Sequence, residues 1–188
     1  MTRLVYLRPH VDRHTKLSSD GRVPQALADM ARYGWDVSAL LLYELDAARL
    51  HSSRPGDVLY LPGTHDLPPG STALPWDPQA DYAVGEFARN HGAKIPGRLA
   101  TSAKSWLCHS GVDRTAPLLP WSAPPDVTRI SPVEASMRYL KHMVGAWNHV
   151  MASKNADYRL EKQMVVLTVP ASFDDMARTL TVEAAKKA

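Results

Sequence analysis

The stretch Gln163-Met-Val-Val-Leu-Thr-Val-Pro170 decides the fold class. Its core is an unbroken apolar and β-branched run of strand length, and Pro170 stops it. A run without polar alternation predicts a central strand covered on both faces. Directly behind it, Asp174 is a good helix N-cap and Asp175 places negative charge at the helix start. Met176, Leu180 and Ala184 then line one face of a last helix. Upstream, Ser131-Pro132-Val133-Glu134 is a capping box, with serine at the cap, proline at the first helical position and glutamate at the third. Val133, Met137, Leu140, Val144, Trp147 and Met151 follow at alternating spacings of four and three. They predict a helix of about five turns, with Lys141 and His142 off the apolar face. The C-terminal half therefore reads as helix, buried strand, turn, helix, which makes this an α/β chain.

Farther from that segment the signals weaken. Most of the 15 prolines lie between Pro55 and Pro132, among Gly56, Gly63 and Gly70, so the middle third is expected to be short elements joined by turns. Asp57 to Pro62 reads as a short strand, and Tyr82 to Gly85 as another. A short helix from Glu86 to Asn90 ends at Gly92, and one or two helical turns run from Ala100 to Cys108 with Leu99, Ala103 and Leu107 on one face. Val37 to Leu45 is a buried strand or a helix; its length and its shortage of β-branched residues leave both open. Residues 1–29 mix charges, prolines and isolated apolar residues without a sustained period, and low order is expected there.

A length of 188 residues allows one domain, or one and a fraction. With 45% hydrophobic and 22% charged residues, the composition excludes collagenous, coiled-coil and wholly disordered chains. The longest apolar run holds Glu44 and is too short for a bilayer, and no apolar core follows Arg3 and Arg8, so neither a membrane span nor a secretory signal is read. The lone Cys108 excludes an internal disulfide framework, and a reducing, cytoplasmic setting fits best. A net charge of +3 is mild. The basic N-terminal cluster reads as a solvated tail, so no nucleic-acid partner is expected.

Candidate chemistry is sparse. His10 and His14 are four residues apart, too little on its own for a metal site, and no metal site is expected. Cys108 with His109 or His142 could form a thiolate pair, but a half-buried cysteine at a helix end is the favoured reading. Neither a Gly-x-Ser-x-Gly elbow nor a Walker-type phosphate loop occurs. Lys104 sits among small residues, Ser102-Ala-Lys-Ser105, just before Trp106; on composition alone it is a surface lysine.

The segment from Val165 through Val-Pro170-Ala-Ser-Phe-Asp-Asp to Arg178 and Ala185 resembles the strand–turn–helix of the DnaK-type (heat-shock-70) chaperones, without a gap. Tyr82-Ala-Val-Gly-Glu-Phe-Ala88, Thr101-Ser-Ala-Lys104-Ser-Trp-Leu107 and Ser131-Pro-Val-Glu134 are similar to further segments of that family. Leu74-Pro-Trp76 and Gly111 to Trp121 resemble a divergent bacterial branch of it. The resemblance covers about residues 57–188 and implies an incomplete actin-like ATPase (ribonuclease H-like) first lobe with an irregular, proline-rich middle region.

By that resemblance, Lys104 takes the position of the lysine that orients the attacking water and contacts the γ-phosphate. Pro170 takes that of the nucleotide-sensing proline switch, and Arg178 that of its arginine partner. Tyr33-Gly34-Trp35-Asp36 is the nearest text to the first phosphate loop. Gly34 and Asp36 keep part of its pattern, but the glycine and threonine that should follow are missing. Residues 1–29 then form an N-terminal extension, 30–56 a degenerate remnant of the phosphate-loop region, and 57–188 a partial first lobe.

The resemblance implies ATP and Mg2+ as cofactors of the intact family, and unfolded polypeptides and co-chaperones as its partners. The match stops within the first lobe, so the chain reads as truncated, with ATP binding and hydrolysis lost and self-association through an uncovered strand at Val165 to Val169 expected. The alternatives are a non-enzymatic interaction module and a degraded gene product without function.

Overall fold

The computed structural model describes residues 3–7, 36–37, 58–167, 169 and 173–188. The chain is mixed α/β, with two three-stranded sheets and four α-helices among these residues. β1 (Arg3–Leu7), β2 (Asp36–Val37) and β6 (Met164–Leu167) form a parallel sheet in the order β2-β1-β6, with Leu4 opposite Met164 and Leu7 opposite Leu167. β3 (Val58–Tyr60), β4 (Ala83–Val84) and β5 (Leu99–Thr101) form an antiparallel sheet with β3 in the middle. The helices are α1 (Glu86–Gly92), α2 (Ala103–Leu107), α3 (Pro132–Met151) and α4 (Asp175–Lys187).

Local signals place the two long helices as expected. The Ser131 side chain accepts the Glu134 N–H at 3.0 Å, and the Asp174 carboxylate accepts the Ala177 N–H at 2.7 Å. The capping box at Ser131 is half made, however. Glu134 turns away from the cap and holds Arg138 at 2.7 Å, because an ion pair one turn along satisfies its charge better than a single backbone N–H.

The α3 stripe is internal, and α3 is the spine of the molecule. At its start, Val133 and Met137 pack with Leu107, Phe173, Ala177, Leu180 and Ala184, which joins α2, α3 and α4. Ala135 and Tyr139 face the antiparallel sheet and the loop behind it, against Leu59, Ala100, Leu119 and Ile130. At its end, Trp147 packs with Leu140, Val144, Leu160 and Leu167. Its indole N–H donates to the Tyr158 carbonyl at 2.7 Å, while Asn148 accepts the Leu160 N–H at 2.8 Å. The end of α3 thereby shapes the return of the chain to β6.

Three expectations change. Leu99, Ala100 and Thr101 are strand rather than helix, because each pairs with a residue of β3. The helix after them starts only at Ala103, where Ser102 turns the backbone into the left-handed region at φ 55°. His142 is buried, not on an open face: its ring stands edge-on to Trp76 at 5.4 Å, and Trp76 lies so close to α3 that a Cβ at Gly145 would collide with the indole. Val165 is 42% exposed, so the β6 run is not covered on both faces there, and among the described residues β6 pairs with β1 alone. A run of apolar residues measures hydrophobicity but carries no information about which sheet neighbours arrive.

β1 falls inside the segment 1–29, and the rest of that segment, like 38–57, lies outside the described residues.

Candidate functional site

α2 is a five-residue helix, too short to be stable by itself, and its side chains are divided among three directions. Ala103 and Leu107 point into the core. Trp106 stacks on Trp121 at 5.0 Å and on His109 at 5.6 Å, forming an aromatic ladder whose outer ring, Trp121, is 57% exposed. Lys104 faces the opposite side, its ammonium 6.0 Å from the centroid of the Phe173 ring. Phe173 is buried and immediately precedes the Asp174 cap of α4. The fold therefore sets Lys104 beside Phe173 at the entry to α4, although the two are far apart in sequence.

Arg114, in the loop after α2, closes this corner. Its two terminal nitrogens donate to the two carboxylate oxygens of Asp174 at 2.7 and 2.6 Å, and its Nε donates to the His109 carbonyl at 3.2 Å. The planar guanidinium matches the carboxylate with two near-parallel bonds, a geometry that lysine cannot reproduce. Arg114 and the Ala177 N–H together hold the Asp174 carboxyl down at about 2, well below its ordinary 3.8.

Cys108, at the end of α2, behaves as a thiol. Burial pushes its pKa up and the Asp174 charge pushes the same way, against weaker opposition from Arg114 and Lys104. The Nδ1 of His109 accepts the Gly111 N–H at 3.1 Å, and the His142 ring packs on Trp76. These contacts favour the structural reading of the cysteine over a thiolate pair.

Of the other sequence-selected residues, Arg178 and Asp36 are described. Arg178 sits on the exposed side of α4, 3.9 Å from Asp175. Asp36 lies in β2, opposite Arg3. Pro170 and Gly34 lie outside the described residues. Among the described residues no group of three or more His, Cys, Asp or Glu is placed to hold a metal ion, and no helix is long and apolar enough to cross a membrane. Sequence reasoning missed the Arg114–Asp174 pair. Asp174 was legible only as a cap, and a partner 60 residues away leaves no periodic trace.

The depressed carboxyl predicts an acid limb in stability. The unfolded Asp174 binds its proton near its ordinary 3.8 and the folded one only near 2, so its contribution is complete above about pH 4 and is lost as pH falls through about 2. Asp174→Asn should flatten the fall of the urea midpoint over that window. Superimposable acid limbs for the native protein and the variant would contradict the assignment.

No family model, curated protein or solved structure matches this chain.

Proposed function

We propose that this chain carries first-lobe elements of a DnaK-type (heat-shock-70) chaperone, a family whose role is ATP-dependent binding and folding of unfolded polypeptides together with co-chaperones. The observation that supports it is the meeting of two separately recognised segments. The lysine of Thr101-Ser-Ala-Lys104 lies 6.0 Å from the ring of the phenylalanine in Val-Pro170-Ala-Ser-Phe173. In this reading β6, the segment after it and α4 are the strand, sensing turn and helix of an actin-like ATPase lobe. Pro170 is the switch. Arg178, on the open side of α4, is available to relay its state to another domain.

ATP with Mg2+ supplies the γ-phosphoryl group and its counter-charge when bound. The Lys104 ammonium stabilises negative charge that builds on that group and orients the attacking water. The resemblance maps residues 57–188 to one lobe of a site that lies between two, and the Gly34–Asp36 text lacks the residues of a full phosphate cradle. The isolated chain is accordingly expected to bind Mg-ATP more weakly than micromolar and to hydrolyse none.

The test has two arms. Residues 57–188 are exchanged into the first lobe of a complete DnaK-type ATPase, and Lys104→Ala in that chimera is expected to lower kcat by about 100- to 1,000-fold with little change in KM. A folded Lys104→Ala chimera that hydrolyses ATP at the parent rate overturns the role of Lys104. Isothermal titration of the chain alone with Mg-ATP is the second arm, and micromolar binding there overturns its assignment to a single lobe.

A further inference from the structure

Arg114 has no part in the chemistry just described, yet it is the most fully engaged charged side chain of the corner. The residue is only 9% exposed, and each of its three guanidinium nitrogens donates to a fixed acceptor. One acceptor, the His109 carbonyl, stands just past the end of α2. The other two belong to Asp174, the N-cap of α4. A single rigid plane thus ties the exit of the helix that bears Lys104 to the entry of the helix that follows β6. Leu107 packs into the same cluster as Phe173 and Ala177, so the tie lies over an apolar contact between the same two helices.

We propose that Arg114 is a positioning residue. It holds α2 and the start of α4 as one body, so that Lys104 keeps its place beside Phe173 and any movement of the start of α4 is passed to the lysine. The catalytic meaning of that coupling rests on the function proposed above; the coupling itself rests on the three hydrogen bonds alone. The competing role is a local one, in which Arg114 serves only to neutralise the cap of α4.

Asp174 allows the two roles to be separated, because its Oδ1 also accepts the Ala177 N–H. Asp174→Asn keeps an acceptor for that N–H and removes the charged fork, whereas Asp174→Ala removes both. The readout is the rate at which Lys104 is acylated by a small water-soluble reagent, followed by mass spectrometry on the full chain without nucleotide. The exposed Lys141 serves as an internal reference. Arg114→Gln, Arg114→Lys and Asp174→Asn are each expected to raise the Lys104 rate at least threefold relative to Lys141. Amide exchange over 103–108 should rise with it, while the first turn of α4 stays protected in Asp174→Asn. Leu160→Ala, a cavity in the cluster at the end of α3, which contains no residue of α2, controls for general loosening and should lower the melting temperature without moving Lys104.

A native Lys104 rate in a cooperatively melting Arg114→Gln protein overturns the proposal. Where Arg114→Gln does not fold, a native rate in Asp174→Asn does the same. So does a Lys104 rate that rises equally in Leu160→Ala. Because no nucleotide enters this assay, its failure strikes the positioning role alone, and failure of the chimera strikes the ATPase reading alone.

Discussion

Trp147→Ala is expected to destabilise the protein by about 3–5 kcal/mol, measured as a fall in the urea midpoint at unchanged slope. The indole is 1% exposed and is the largest fully buried side chain among the described residues. It is the knot between the end of α3, Leu160 and Leu167 of β6. Its removal opens a cavity in the cluster at the end of α3. It also strips the Tyr158 carbonyl of the N–H that reaches it at 2.7 Å. Trp147→Phe separates these effects: it keeps most of the packing and loses the hydrogen bond, for an expected loss of about 1–2 kcal/mol. A Trp147→Ala protein within about 1 kcal/mol of the native would show that the end of α3 does not organise the return to β6.

Leu107→Ala is expected to cost about 2–5 kcal/mol, with a local consequence beyond the global one. Leu107 is 2% exposed and packs against Val133 of α3, the buried Phe173, and Ala177, Leu180 and Ala184 of α4. A helix of five residues cannot hold itself together, so α2 exists because Ala103 and Leu107 are pinned to the core. Truncation of Leu107 should therefore raise amide exchange across 103–108 more than in α3, whereas Leu107→Met should stay within about 1.5 kcal/mol of the native. Equal exchange in α2 of the native and Leu107→Ala proteins would contradict this dependence, whatever the midpoint did.

The helices were readable to the extent that their causes are local. Ser131 and Asp174 cap the helices that their types and positions predict, since an N-cap acts on an N–H only three residues ahead. The α3 stripe was visible at its 3.6-residue period, but the burial of His142 was not, since α3 packs on more than one side and a single stripe describes one. The strand at Leu99–Thr101 was hidden for the opposite reason. Leu-Ala-Thr is neutral between helix and strand, and the hydrogen bonds to β3, about forty residues away, decided it. Lys104 was singled out from its neighbours and from the resemblance, but its position beside Phe173 and the Arg114–Asp174 fork are tertiary facts.

The amino-acid order alone determined where the long helices α3 and α4 begin, which face of α3 is apolar, and that the proline-rich middle breaks into short pieces. Those properties depend on side chains within one or two turns of each other, and their energies are set before the chain closes on itself. Tertiary structure alone decided that α2 is held in place from outside, that Val165 reaches solvent, and that Arg114 meets Asp174. Each depends on segments brought together by burial of the apolar surface on α3, a non-directional force that fixes which elements touch only once all of them are present.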